Sequence, residues 1–177
     1  MSEAISVGPR DSCVGSTDSE GEMQIADDEL ARVTECVWSS VLGLPLQRLP
    51  KEETPDQRIA IAARVRIAAE SWSGALTLGC SELLGARIAM AAHGNNRDLT
   101  VSRIERAVGR VADRIAADVK PMLDDACVLS PPIVSEGPDV IPVGMRSIGQ
   151  VCFICFSQPL LIAVAERDSC CQSIRIR

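Results

Sequence analysis

The chain has 177 residues, of which 46% are hydrophobic and 24% charged, with a formal net charge of −6. These values fit one globular domain rather than a disordered chain or a repeat array. Four aromatic residues and a nearly neutral body beyond residue 29 argue against nucleic-acid binding, which requires a basic surplus and stacking side chains. No apolar run approaches the roughly 18 residues of a membrane span, and no signal peptide is evident, so we expect a cytoplasmic protein without membrane contact.

Most of the net charge lies at the N-terminus, where residues 1–29 contain eight acidic residues and one arginine. Residues 1–26 have few large apolar side chains and are predicted to form a disordered acidic tail. Asp27 or Asp28 is then expected to cap an amphipathic helix, which ends near Leu42 because Gly43 stops it.

A β-hairpin is predicted next. After a polar loop over residues 50–56, apolar side chains occupy every second position over residues 59–69 and alternate with Arg58, Arg64, Arg66 and Glu70, which indicates a strand with one solvated face. The abundance of alanine and arginine would also suit a helix. Ser73 and Gly74 are predicted to form the turn, and residues 75–78 the returning strand.

A short helix follows the hairpin. Ser81 is expected to begin this helix and Gly94 to end it. The only histidine, His93, lies in the last turn, where a single imidazole without partners fits a C-terminal cap better than a catalyst.

The longest helix is predicted over residues 103–123, with Ser102 and Glu105 as a capping box and Pro121 disturbing its last turn. One side of this helix is apolar, with Ile104, Val108, Val111, Ile115, Val119 and Met122 at helical spacing. The opposite side is polar and carries Arg103, Arg106, Arg110, Asp113 and Arg114.

The C-terminal third is predicted to form strands. Pro131 and Pro132 interrupt residues 128–136, and residues 150–156 are expected to pair with residues 160–166 across a turn at 157–159. This order of elements predicts an α+β fold with long helices on one face of a mainly antiparallel sheet. We place the domain at residues 27–167 and a flexible C-terminal tail at residues 168–177.

Eight cysteines raise the question of a metal site. Only Cys152 and Cys155 form a CxxC pair, and they lie in a predicted strand, where residues three apart point to opposite faces. A zinc site, which requires four clustered ligands, is therefore not expected. The cysteines are expected to be buried free thiols instead. Cys170 and Cys171 lie in the predicted tail and are expected to be exposed and oxidisable.

Four segments resemble, in the right order, the CheX-like chemotaxis phosphatase family, which has a CheC/CheX/FliY-type fold. The resemblance covers residues 28–167. The segments are VTECVWSSVLGLPL (residues 33–46), SWSGALTLGCSELLGARIA (71–89), AVGRVADRIAADVKPML (107–123) and LSPPIVSEG (129–137). The resemblance implies a partner, the phosphorylated receiver domain of a response regulator, and also a homodimer.

The resemblance further implies a catalytic Glu-x-x-Asn pair on a helix surface. The regulator supplies Mg²⁺ and most of the hydrolytic groups, so no cofactor of the protein's own is expected. The phosphatase adds an amide that orients water and a carboxylate that contacts the regulator's lysine. A spacing of three residues places the two side chains on one helical face.

In this sequence the matching positions of the long helix are Arg110 and Asp113, and those of the first helix are Glu35 and Trp38. Arg110 would meet the regulator's lysine with like charge, and Asp113 would bring a carboxylate towards the phosphoryl group. At about 4 Å and an effective dielectric of about 20, each repulsion is at most about 4 kcal/mol. Half of that would cost more than tenfold in rate, so phosphatase activity is doubtful.

Several interpretations remain open. The polar side of the long helix is either a solvated surface with an Arg110–Asp113 ion pair or a docking surface for a response regulator. In the second case the basic residues that would contact the regulator are Arg103, Arg106 and Arg114. Two alternatives are an active aspartyl-phosphate phosphatase that uses Asp113 or Glu35, and a structural interaction domain of flagellar-switch type.

Overall fold

The computed structural model describes residues 25–50, 59–70, 72–94, 99–123 and 126–167. The predictions for residues 1–24, for most of the loop at 50–56 and for the C-terminal tail at 168–177 lie outside these ranges. Cys13, Cys170 and Cys171 also lie outside them.

Three helices and one antiparallel sheet form the described part of the chain. The helices are α1 (Asp27–Leu42), α2 (Glu82–His93) and α3 (Val101–Val119), which continues into a 3₁₀ turn (Lys120–Met122). The strands are β1 (Gln47–Arg48), β2 (Ile61–Ala68), β3 (Ser73–Cys80), β4 (Val128–Leu129), β5 (Ile133–Glu136), β6 (Met145–Cys155) and β7 (Gln158–Arg167). None of these helices is long and apolar enough to cross a membrane.

The sheet has the order β1-β6-β7-β3-β2-β4, and β5 also pairs with β2. Helix α3 packs against α1, α2 and the sheet, so the helices cover one face. The core lies between the two layers because alternate residues of each strand point towards the helices. Its largest fully buried side chains include Trp38, Phe153, Leu30, Ile67, Leu76, Leu78, Leu84, Ile88, Ile115, Leu160 and Ile162. The predicted α+β fold is therefore confirmed.

The start of α1 is attached to the edge of β6. The Ile25 backbone N–H donates to the Ile148 carbonyl at 3.0 Å, and the Gln150 backbone N–H donates to Asp27 Oδ1 at 3.0 Å. The N-cap position of α1 is Ala26, which makes no side-chain hydrogen bond to the helix. Asp27 is the first helical residue, so the predicted cap at Asp27 or Asp28 is wrong. Ile25 is buried, so the packed domain begins before the predicted boundary at residue 27.

Both ends of α3 differ from the prediction. Thr100 is the N-cap residue, and its carbonyl accepts from the N–H groups of Arg103 and Ile104. No capping box forms with Ser102, which lies inside the helix; its hydroxyl is 3.2 Å from the Thr100 hydroxyl. The α-helix ends at Val119, and Pro121 lies in the 3₁₀ turn, in agreement with the predicted disturbance.

The other helix ends agree with the sequence patterns. Gly43 ends α1 in the left-handed region, at φ 62°, and its N–H donates to the Ser39 and Trp38 carbonyls. At the start of α2, the Ser81 hydroxyl accepts from the Leu84 N–H at 3.2 Å.

Two turns are displaced from their predicted positions. Ser73 and Gly74 belong to β3. The hairpin closes before them in the chain, between Ala69 and Trp72, where the Ala69 N–H donates to the Trp72 carbonyl. The β6–β7 turn consists of Phe156 and Ser157, both with left-handed φ (49° and 61°), instead of residues 157–159. A two-residue turn of this hand matches the twist of the paired strands, which therefore continue further than predicted.

Candidate functional site

Helix α3 presents a polar surface because its apolar residues fill the other side. Val108, Val111, Ile115 and Val119 are buried, with Ala107, Ala112 and Ala116 beside them. The exposed charged side chains in the middle of the helix are Arg106, Arg110, Asp113 and Arg114, which we call the arginine face. Arg103 lies at its margin and is half-buried.

Arg110 and Asp113 lie three residues apart and are both exposed, so both can contact a partner at the same time. Within the described ranges no ion pair joins them. An ion pair on this helix instead connects Arg114 Nε to Asp118 Oδ2 at 3.4 Å, and both side chains are partly solvated. Such exposed pairs contribute only about 0.3–0.5 kcal/mol. The predicted Arg110–Asp113 pair is absent, which leaves both groups available.

The base of the arginine face packs against the segment that leads into β5. Gly109 is buried, and a Cβ at this position would lie 3.5 Å from Pro132 and 3.4 Å from the Val134 side chain. These are ordinary van der Waals distances, so helix and strand are in direct contact here and the position does not require glycine. The arginine face therefore has a packed support beneath it.

The corresponding positions on α1 do not share a surface. Glu35 is exposed, but Trp38 is fully buried (0% exposed) and belongs to the core. Burial raises the pKa of the neighbouring Cys155 thiol, an effect that the Trp38 side chain and Arg87 partly offset. A surface pair at Glu35 and Trp38 is therefore excluded by packing.

The histidine and the CxxC cysteines lie where a structural role is expected. The imidazole Nδ1 of His93 is 3.2 Å from the Ala89 carbonyl in the last turn of α2, as expected for a cap. Cys155 lies in the main core and Cys152 against the opposite side of the sheet, as the strand geometry predicted. No group of His, Cys, Asp and Glu that could hold a metal occurs among the residues with a described position.

Two contacts near these helices could not be predicted. The Arg87 guanidinium lies 4.5 Å from the centroid of the Phe156 ring, a cation–π contact between α2 and the β6–β7 turn. Gly109 and Pro132 also meet only through the fold. The sequence contains no local signal for either contact, because the partners are distant in the chain.

No family model matches this sequence, and no curated protein is significantly similar to it. Solved structures are nevertheless similar in fold. CheX from Vibrio vulnificus has a TM-score of 0.64 at 14% identity over 79% of this chain and 95% of its own. CheX from Desulfovibrio desulfuricans gives 0.65 at 14% identity over 79% and 97%. The CheX–CheY–BeF3–Mg complex from Borrelia burgdorferi gives 0.62 at 14% identity over 82% and 100%. At this identity the likeness establishes the fold, and the predicted CheX-like fold is confirmed.

Proposed function

We propose that this protein is a CheX-like module of bacterial chemotaxis or two-component signalling that binds the receiver domain of a response regulator. The observation that supports this most strongly is the fold similarity to CheX, which covers 79–82% of this chain and 95–100% of the CheX chains, including CheX in a complex with CheY. The arginine face of α3 provides the contact surface in this proposal, with Arg103 at its margin. Homodimer formation, which the resemblance implies, is part of the same proposal.

Binding does not require hydrolysis in this proposal. Arg110 and Asp113 are exposed at the positions where the family resemblance places glutamate and asparagine. A guanidinium repels the regulator's lysine and cannot replace a carboxylate there. A carboxylate beside the phosphoryl group offers no N–H donor and adds negative charge, so it cannot replace the neutral amide that orients water. Any Mg²⁺ in the complex belongs to the regulator.

Charge explains why such a surface still associates with its partner. The phosphorylation site of a receiver domain is acidic, and opposite charges across an interface accelerate encounter and set orientation. Arg106 and Arg114 flank the central pair and remain exposed. They attract the receiver without having to contact the reacting atoms.

The experiment measures the decay of phosphoryl-aspartate on the host's receiver domains, with and without this protein, and binding on the same samples. We expect binding without faster decay. Faster decay would instead establish an active phosphatase that uses an unusual pair. Absence of both effects would favour a structural interaction domain. Light scattering on the same preparation tests the homodimer.

A further inference from the structure

Negative and positive charge are separated within this chain. Residues 3–22 contain five acidic residues and one arginine, whereas α3 and its 3₁₀ turn carry five basic and three acidic residues. Within the described part of the chain, Arg106 and Arg110 are exposed and form no ion pair. The arginine face thus contains one carboxylate, Asp113, but two of its guanidinium groups, those of Arg106 and Arg110, form no ion pair in the described part of the packed domain, while the same chain carries an acidic segment.

The acidic segment precedes a helix that packs against α3. Its end is held at Ile25, which donates to Ile148 and is buried, and the helix that follows, α1, packs against α3. Twenty residues span at most about 70 Å when extended. Helix α3, with 19 residues, is about 28 Å long. The segment is therefore more than long enough, when extended, to span the whole length of α3.

We infer that residues 3–22 bind the arginine face of α3 and compete there with the acidic surface of a receiver domain. This inference rests on the proposed function for the identity of the competitor, but the contact itself involves this chain alone. Covalent attachment gives the segment an effective concentration on the order of millimolar, so weak charge pairs suffice to populate the contact. A partner with a denser negative charge then displaces it.

The contact is tested first on the free, full-length protein by comparing backbone amide chemical shifts. The test variant neutralises part of the segment: Asp18→Asn, Glu20→Gln and Glu22→Gln. The control variant makes the same change of net charge on exposed acids elsewhere: Glu70→Gln, Glu82→Gln and Asp139→Asn. At about 25 mM salt we expect the test variant, and not the control, to shift the Arg106 and Arg110 amides. The difference should disappear near 1 M salt, where the screening length is about 3 Å.

Two results would overturn the inference. Equal α3 shifts in both variants would mean that only the net charge of the protein matters. Shifts that grow with protein concentration would mean that the segment binds a second copy instead of its own chain.

The second measurement is receiver binding. We expect the test variant to bind a phosphorylated receiver about 3- to 10-fold more tightly than wild type at low salt, which corresponds to about 0.7–1.4 kcal/mol. An α3 contact in the free protein without any receiver binding would overturn the proposed function and leave the contact intact. Receiver binding of equal strength in test and control variants, without the contact, would overturn only the present inference.

Discussion

Helices α1 and α3 contain the same three-residue spacing, but only α3 presents both positions to solvent. On α3, Arg110 and Asp113 are exposed side by side. On α1, Glu35 is exposed whereas Trp38 fills the core, with none of its surface accessible. A spacing of three residues places two side chains on one helical face, but it does not decide whether that face meets solvent or the sheet. The packing of each helix on the sheet decides which positions are available for a partner.

The largest effect is expected from placing the family's Glu-x-x-Asn spacing on the wrong helix. Trp38→Asn creates that spacing on α1 but removes a fully buried indole and buries an amide, so it should destabilise the fold by about 3–5 kcal/mol. Urea unfolding measures the loss. Arg110→Asn on the exposed face is the matched control and should cost under about 1 kcal/mol. Similar losses in both variants would refute the contrast between the two helices.

A buried thiol in the core, that of Cys80, should make the free energy of unfolding decrease at alkaline pH. Burial raises the pKa of the Cys80 thiol from 9.0 to about 12. Because the unfolded chain then loses this proton first, the stabilisation is complete below pH 9 and is lost between about pH 9 and 12. By pH 10.5 the loss should be about 2 kcal/mol. The free energy of unfolding of Cys80→Ala, measured by urea unfolding at each pH, should fall less steeply between pH 9 and 11 than that of wild type.

The matched control for that measurement is Cys36→Ser, which removes an exposed thiol from α1. Its pH profile should follow that of wild type. Parallel slopes for wild type and Cys80→Ala between pH 9 and 11 would contradict a dry environment around Cys80.

Rebuilding the family pair on α3 tests where the site lies. Arg110→Glu with Asp113→Asn should accelerate the decay of phosphoryl-aspartate at least about tenfold over wild type, about 1.4 kcal/mol of barrier, because two repulsions are replaced by productive contacts. Both positions are exposed, so the fold should tolerate the change. If the double variant binds a receiver and still gains no activity, the site has been placed on the wrong residues.

The smallest effect is expected at the flank of the arginine face. Arg106→Gln should weaken receiver binding about 3-fold at low salt and reduce its salt dependence, because it removes one steering charge. Arg66→Gln, on the exposed part of β2, is a control with the same charge change. Titration calorimetry at about 50 mM and 500 mM salt compares them. Equal losses from both variants would indicate an effect of net charge alone.

Much of the architecture was predictable from local patterns. Gly43 and Ser81 act at their helix ends as predicted, and the alternation before Ala69 marks β2, because these signals depend on neighbouring residues. The cap at Thr100 and the turn at Phe156 and Ser157 were missed. Phe156 adopts a left-handed backbone that a bulky side chain disfavours, so only strand pairing on both sides explains the position of that turn.

The candidate site was predictable only in part. The polar side of α3 follows from its helical periodicity, and Arg110 and Asp113 were located by the family resemblance. Other features of the site depend on distances between side chains. They are the exposure of Arg106 and Arg110, the Arg114–Asp118 ion pair and the contact of Gly109 with Pro132. Spacing along the chain does not specify those distances.

The sequence by itself determined the mixture of helices and antiparallel strands, the apolar side of α3 and the separation of acidic and basic charge. Each of these depends on composition or on periodicity within one segment. Only the tertiary structure decided that Trp38 belongs to the core, that Asp27 bonds to the edge of β6 and that Arg110 and Asp113 are both exposed. Burial and pairing depend on residues that folding brings together from distant parts of the chain. The pattern of a single segment therefore does not specify them.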